Sequence, residues 1–145
     1  MSTCKNSTRR KALSIIKAAL GICETKPLSN SFWSVEGNKV RVKLNHMAEP
    51  LQKGKSVYLK GKGLAKPVLL LRTEDDIYLA FSNCCTHFGH RKLDPVPGEP
   101  KLRCCSVNHS TFDLQGKPIG GPAKRPLKCY AVERSDGDLV IALSV

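Results

Sequence analysis

The chain has 145 residues, 41% of them apolar and 6% aromatic, which is enough for one domain with its own core and too little for two of ordinary size; the apolar content excludes a disordered chain. Lys and Arg outnumber Asp and Glu by 24 to 12, a formal net charge of +12, yet the basic residues are scattered among strand and turn signals (Lys39, Arg41, Lys43, Lys53, Lys55, Lys60, Lys62) with no aromatic interleaving and no nucleic-acid motif. Nucleic-acid binding is therefore set aside, leaving a solvated basic surface or one that steers an acidic partner protein.

Residues 1–31 read as a basic N-terminal segment. Lys5, Arg9, Arg10, Lys11 and Lys17 stand there with no acid before Glu24, and Ala12, Ile15, Ile16, Ala19, Leu20 and Cys23 recur at helical spacing. This predicts one amphipathic helix, lying on its own domain, on a partner subunit or on a membrane surface. Thr8-Arg9-Arg10-Lys11-Ala12-Leu13 is similar to a twin-arginine export signal, but Lys17 interrupts the apolar segment and no Ala-x-Ala site follows. Seven cysteines with two adjacent pairs do not read as a disulfide framework and favour a reducing compartment. The expectation is a cytoplasmic protein, with periplasmic export as the alternative. No run of eighteen or more uncharged apolar residues occurs, so no conventional spanning helix is expected.

Residues 32–145 read as a strand-rich domain. Val40, Val42 and Leu44 alternate with charged residues after the Gly37-Asn38 turn. Val57-Tyr58-Leu59 and Val68-Leu69-Leu70-Leu71 follow, then Ile77-Tyr78-Leu79-Ala80-Phe81 after the Glu74-Asp75-Asp76 turn. Leu127–Val132 and Leu139–Leu143 form a closing hairpin around Ser135-Asp136-Gly137-Asp138. Many short strands at regular spacing predict an all-β fold, a small antiparallel sandwich or barrel.

The chemistry-bearing residues are Cys85-Thr86-His87 and Cys105-Ser106-Val107-Asn108-His109, separated by the turn-prone segment Leu93-Asp94-Pro95-Val96-Pro97-Gly98. A [2Fe–2S] centre with mixed ligands takes two thiolates on one iron and two imidazoles on the other, and Cys85 with His87 supplies one of each. These loops, with the downstream Ser110-Thr111-Phe112-Asp113-Leu114-Gln115-Gly116-Lys117 and Gly120-Gly121-Pro122-Ala123, resemble the Rieske [2Fe–2S] protein family, whose motif is Cys-x-His followed by Cys-x-x-His. The resemblance covers about residues 34–143. Read backward from Phe112, it puts Asn108 where the family has its second histidine and His109 where it has glycine.

Three readings of that departure stay open. A local shift of the loop lets His109 ligate, giving Cys85, His87, Cys105 and His109 as the metal ligands. A neighbouring thiol, Cys84 or Cys104, fills the vacancy. Or the fold is kept and no cluster binds. Zinc suits the ligand types, but Cys-x-His is not among the usual spacings of structural zinc loops.

The resemblance implies cluster loops projecting from one end of the domain, Ser110 as a donor to cluster sulfur and Gly121-Pro122 as the loop covering the cluster. Phe112 stands where high-potential members have a tyrosine. His90 and Val107 stand where they have bracing cysteines. A potential in the lower part of the family's range, roughly −150 to +300 mV, is expected. His46 reads as surface, His90 as a loop-edge residue, and Cys4, Cys23 and Cys129 as thiols without metal spacing. No nucleophile–base–orienter set, phosphate-binding glycine loop or paired-carboxylate motif is present, so catalysis by this chain alone is not expected. The expected function is single-electron transfer to or from a partner oxidoreductase, as a free ferredoxin-like carrier or a subunit. The alternative is a structural or interaction module that has lost its cluster.

Overall fold

The structure is a computed structural model that describes residues 23–47, 49–61, 63–86, 92–105 and 109–144. Twelve strands hold 44% of the described residues. They are β1 (Lys26–Pro27), β2 (Trp33–Glu36), β3 (Lys39–Val42), β4 (Ser56–Leu59), β5 (Val68–Arg72) and β6 (Tyr78–Ser82), then β7 (Leu93–Pro95), β8 (Lys101–Cys104), β9 (Thr111–Asp113), β10 (Pro118–Gly120), β11 (Cys129–Ser135) and β12 (Asp138–Ala142). Two single-turn 3-10 helices, Asn30–Phe32 and Leu44–His46, complete the set.

Eight strands form one curled sheet in the order β1-β4-β5-β6-β11-β12-β3-β2, and four form a second in the order β10-β9-β8-β7. All pairings are antiparallel except β1 with β4.

The larger sheet follows from period-2 patterning. In β3, Val40 and Val42 are fully buried while Lys39 is exposed and Arg41 half-buried. They face Ile141 and Leu139 of β12 in register. Gly37, at φ +63°, supplies the left-handed residue that lets β2 turn into β3. Trp33, Val40, Val42, Leu59, Val68, Leu70, Ala80, Leu139 and Ile141 make up this first core; each such side chain contributes about 1.5–3 kcal/mol by leaving water.

The Val68–Leu71 run does not alternate because β5 is buried on both faces. Val68 and Leu70 belong to the first core, and Leu69 and Leu71 to a second one built on the smaller sheet with Phe81, Cys85, Leu93, Leu102, Cys104, Phe112, Ala123 and Leu127. The β5–β6 pair is therefore the wall shared by both cores.

Three expectations are corrected. The part of the predicted N-terminal helix that reaches Cys23 is not helical. Glu24 N–H and Thr25 N–H donate to the two oxygens of buried Asp94 (2.7 and 2.9 Å), and β1 then pairs with β4, so Cys23–Pro27 runs extended along the sheets. Residues 12–22 of that helix lie outside the described residues. The strand expected through Leu44 stops at Val42, where Lys43 N–H donates to Phe32 O (2.8 Å) and a 3-10 turn begins. Leu93-Asp94-Pro95, expected as turn, is a strand. It is the edge strand of the smaller sheet, where a proline's missing N–H is tolerated, and the turn falls later, at Gly98 with φ +74°.

Candidate metal centre

The first predicted loop runs from the larger sheet to the smaller, and the second lies within the smaller sheet. The first joins β6 to β7 and carries Cys84, Cys85 and Thr86; the second joins β8 to β9 and carries Cys105, His109 and Ser110. His87, His90, Val107 and Asn108 lie outside the described residues.

Cys85 is fully buried in the second core. Just before it, Asn83 is 2% exposed, and its Oδ1 accepts from Leu93 N–H at 2.9 Å, which ties the start of the first loop to β7. Its Nδ2 is a buried donor with no partner, an arrangement that ordinarily disfavours folding unless an acceptor arrives. Cys84 is half-buried with a free thiol. Burial of Tyr130 pushes its phenol up, against a hydrogen bond with Ser82 and with a smaller contribution from nearby Cys84.

The second loop is held from below. Ser110 is fully buried, and its Oγ accepts from Ala123 N–H at 3.1 Å; the hydroxyl proton is left to be donated. His109 is exposed, and its Nδ1 lies 3.3 Å from Cys104 O. Its φ is +38°, in the left-handed region that glycine prefers. That conformation agrees with the register that sets His109 on the family's glycine position.

The segment after β10 covers both loops. A Cβ on Gly121 would lie 2.6 Å from Ser110 Cα and 2.9 Å from His109 O, so only glycine allows this backbone to rest on the second loop. Pro122 beside it is exposed. Thr86 Oγ1 donates to Arg125 O at 2.7 Å, and Arg125 Nη2 donates to Thr86 O at 3.4 Å, tying the cover to the first loop.

Adjacent cysteines in the second loop face opposite ways. Alternation along β8 buries Leu102 and Cys104 on the inner face. Cys105 points to the other side and is disulfide-bonded to Cys23, with Cα atoms 5.6 Å apart. Asp94 lies within the same small cluster, all three ligand atoms within 4.8 Å of one another. The reading of Cys23 as a thiol without a role, and of the cysteines as holding no disulfide, is therefore corrected. The Glu24 and Thr25 bonds to Asp94 bring Cys23 to the second loop, a juxtaposition across 82 residues that no local spacing announces.

Cys129 opens β11. Its Sγ donates to Gln115 O at 3.3 Å, and burial followed by the Asp113 charge pushes its thiol up, away from the thiolate a metal needs. His46 is exposed at the end of a 3-10 turn, as expected.

The residues present suit an iron–sulfur group. Its sulfurs are acceptors, and this end of the fold offers an orphaned buried donor at Asn83, a donatable Ser110 hydroxyl and buried cysteines under a close-fitting glycine cover.

The comparisons agree. The model of the Rieske [2Fe–2S] domain matches residues 42–131, well over half of the chain, and the chain belongs to that family. It is a Rieske-type electron-transfer protein with a [2Fe–2S] cluster as its cofactor. Among solved structures, the ferredoxin of carbazole 1,9a-dioxygenase from Nocardioides aromaticivorans IC177 is 23% identical with a TM-score of 0.55, covering 65% of this chain and 89% of that one. A Sphingomonas yanoikuyae B1 ferredoxin is 21% identical with a TM-score of 0.52, covering 63% and 88%. A complex of reduced oxygenase and oxidised ferredoxin in carbazole 1,9a-dioxygenase contains a chain 23% identical with a TM-score of 0.51, covering 64% and 84%. These likenesses show the fold. Comparison with the curated proteins gives no match.

Proposed function

We propose that this protein passes single electrons to or from a partner oxidoreductase that docks on the end of the smaller sheet through an acidic surface. Cys85 and His87 of the first loop, one thiolate of the Cys104–Cys105 pair and His109 of the second loop would hold the cluster. The bound cluster supplies one-electron exchange, at a potential raised by each imidazole that replaces a thiolate. The protein's own contribution is to bury the cysteine side, to offer Ser110 O–H at the base of the second loop, and to present the exposed His109 to a partner.

The observation that carries this reading is the convergence of both loops under one cover, joined by the Thr86–Arg125 and Ala123–Ser110 hydrogen bonds. The charge of the cover supports the partner's sign. Between Asp113 and Glu133 there is no acidic residue, while Lys117, Lys124, Arg125 and Lys128 are present and exposed. Such a field speeds encounter with an acidic surface without tight binding. The similar ferredoxin that is seen in complex with an oxygenase supports an oxygenase-type partner.

The test is oxidation of the dithionite-reduced protein by ferricyanide, an anionic oxidant, followed by the visible bleaching and return of the cluster. The rate is expected to fall about tenfold between low and high salt, and the Lys124→Glu, Lys128→Glu double variant to lose most of that dependence. A salt-independent rate would remove the electrostatic part of the proposal; a protein with no reversible bleaching would remove electron transfer itself.

A further inference from the structure

We propose that the Cys23–Cys105 disulfide and the cluster are alternatives on one sulfur, so that thiol–disulfide exchange at Cys23 sets whether the chain can hold its iron. This rests on the electron-carrier reading above and adds a control to the same site. Cys105 stands three residues before Asn108, which is the cysteine position of the family's second loop. Iron takes a thiolate there, and a sulfur already bonded to sulfur has none to give.

The structure describes the closed state of this switch. Cys105 is 6% exposed, and its N–H donates to Lys92 O at 2.9 Å, which fixes its backbone beside the start of β7. Its sulfur is joined to Cys23, with the Cα atoms 5.6 Å apart, a separation that a disulfide spans without backbone movement. Cys85 of the first loop is buried in the second core and takes no part in that bond. With the bond closed, the first loop keeps its thiol and the second loop's is withdrawn.

Cys23 is delivered by contacts that do not involve its sulfur. Glu24 N–H and Thr25 N–H donate to the two oxygens of Asp94 at 2.7 and 2.9 Å, and Thr25 Oγ1 lies 2.7 Å from Ser56 Oγ. Lys26 and Pro27 then pair with Val57 and Tyr58. None of these ties depends on the disulfide, so an opened Cys23 stays near Cys105 and reclosing is an intramolecular step. A cation held by Cys23, Cys105 and Asp94 is the weaker reading of the same cluster, because both Asp94 oxygens already accept backbone N–H groups.

The exchange balances as follows. On a chain that holds no cluster, the two thiols give up two protons and two electrons to an oxidised low-molecular-weight disulfide, which becomes two thiols. Opening is the reverse, with a thiol as the reductant. Because the bond forms only on chains without the cluster, an oxidising poise draws the population away from the loaded form by mass action.

The experiment uses the full chain, wild type and Cys23→Ser, each loaded anaerobically with iron and sulfide in the presence of a dithiol and then desalted. Samples are held at a series of ratios of reduced to oxidised glutathione until their iron content is constant. Native mass spectrometry reads cluster and disulfide on the same chain, and peptide mapping locates the linkage. At the oxidised end, wild type is expected to hold at least about tenfold less iron than at the reduced end. That loss should follow the appearance of the Cys23–Cys105 linkage, while Cys23→Ser keeps its iron throughout. Chains carrying both the linkage and a full cluster would overturn the proposal. So would Cys23→Ser losing iron in step with wild type, or a wild type that forms no such linkage at any ratio. Should Cys23→Ser fail to fold by circular dichroism, the wild type decides alone: linkage and iron on separate chains support the switch, and both on one chain refute it. Wild type that takes up no iron under the dithiol would instead overturn the electron-carrier reading, and the switch with it.

Discussion

The eight-stranded and four-stranded sheets are held together by different means. The larger sheet is maintained by apolar burial spread over many equivalent side chains, among them Trp33, Val40, Val42, Leu139 and Ile141. In the smaller sheet the strands are only three or four residues long, too short to be stable alone. That sheet leans on the shared wall of β5 and β6, on single polar ties such as Asn83–Leu93 and Ala123–Ser110, and on one covalent bond, Cys23–Cys105. A change in the larger sheet should therefore register as lost stability with the metal end intact. A change in the smaller sheet should register at the metal end.

The largest expected effect sharpens that contrast from the larger sheet. Trp33 is 1% exposed and its Nε1–H donates to Leu28 O at 3.4 Å. Trp33→Ala should destabilise by about 3–5 kcal/mol in urea unfolding, with iron per folded chain unchanged. Next comes the covalent tie. Reducing Cys23–Cys105, or Cys23→Ser, should lose about 2–4 kcal/mol, with amide exchange rising first along Cys23–Pro27. Uniform exchange over both sheets would show that the bond supports the whole fold rather than the smaller sheet.

A smaller effect, about 1–3 kcal/mol, is expected for Ser110→Ala, because Ala123 N–H is left buried without its acceptor. Its distinguishing signature is a lower reduction potential by film voltammetry, since a hydrogen bond to sulfur favours the added electron. An unchanged potential would confine Ser110 to holding the cover.

The smallest effect lies away from the site, at Asp76. Its carboxyl is held below the ordinary range first by the hydrogen bond from Arg72 Nε at 2.7 Å and then by nearby positive charges. A carboxylate whose pKa is lowered by folding stabilises above its unfolded value, and that contribution is lost as pH falls through the folded value. Asp76→Asn should therefore shift the melting temperature slightly at neutral pH and not at all well below about pH 4; a larger shift in acid would contradict the sign.

Much of the larger sheet was legible in the sequence because one-sided burial writes itself as alternation: Val40 and Val42 against Lys39 and Arg41, and the hairpin that pairs Leu139 with Val42. The Val68–Leu71 run was legible as strand, while its place between two cores was not, since burial on both faces erases the period. The smaller sheet was harder to read. Its strands are shorter than two full alternations, and an edge strand such as Leu93-Asp94-Pro95 carries the composition of a turn.

At the site, the contacts of Ser110 and Gly121 agree with the resemblance that the Ser110–Lys117 and Gly120–Ala123 segments carry. The roles of Asn83, Asp94 and Arg125 were not legible, because each acts through a hydrogen bond to a residue distant in sequence. Nor was the Cys23–Cys105 disulfide, which joins residues 82 apart in the chain.

The most direct test of the central claim is iron and acid-labile sulfide per chain in anaerobically purified protein, with a paramagnetic resonance spectrum after reduction. About two irons and two sulfides per chain with the spectrum of a mixed histidine–cysteine centre is the predicted result. Protein that stays free of iron after reconstitution, while folded by circular dichroism, would contradict it.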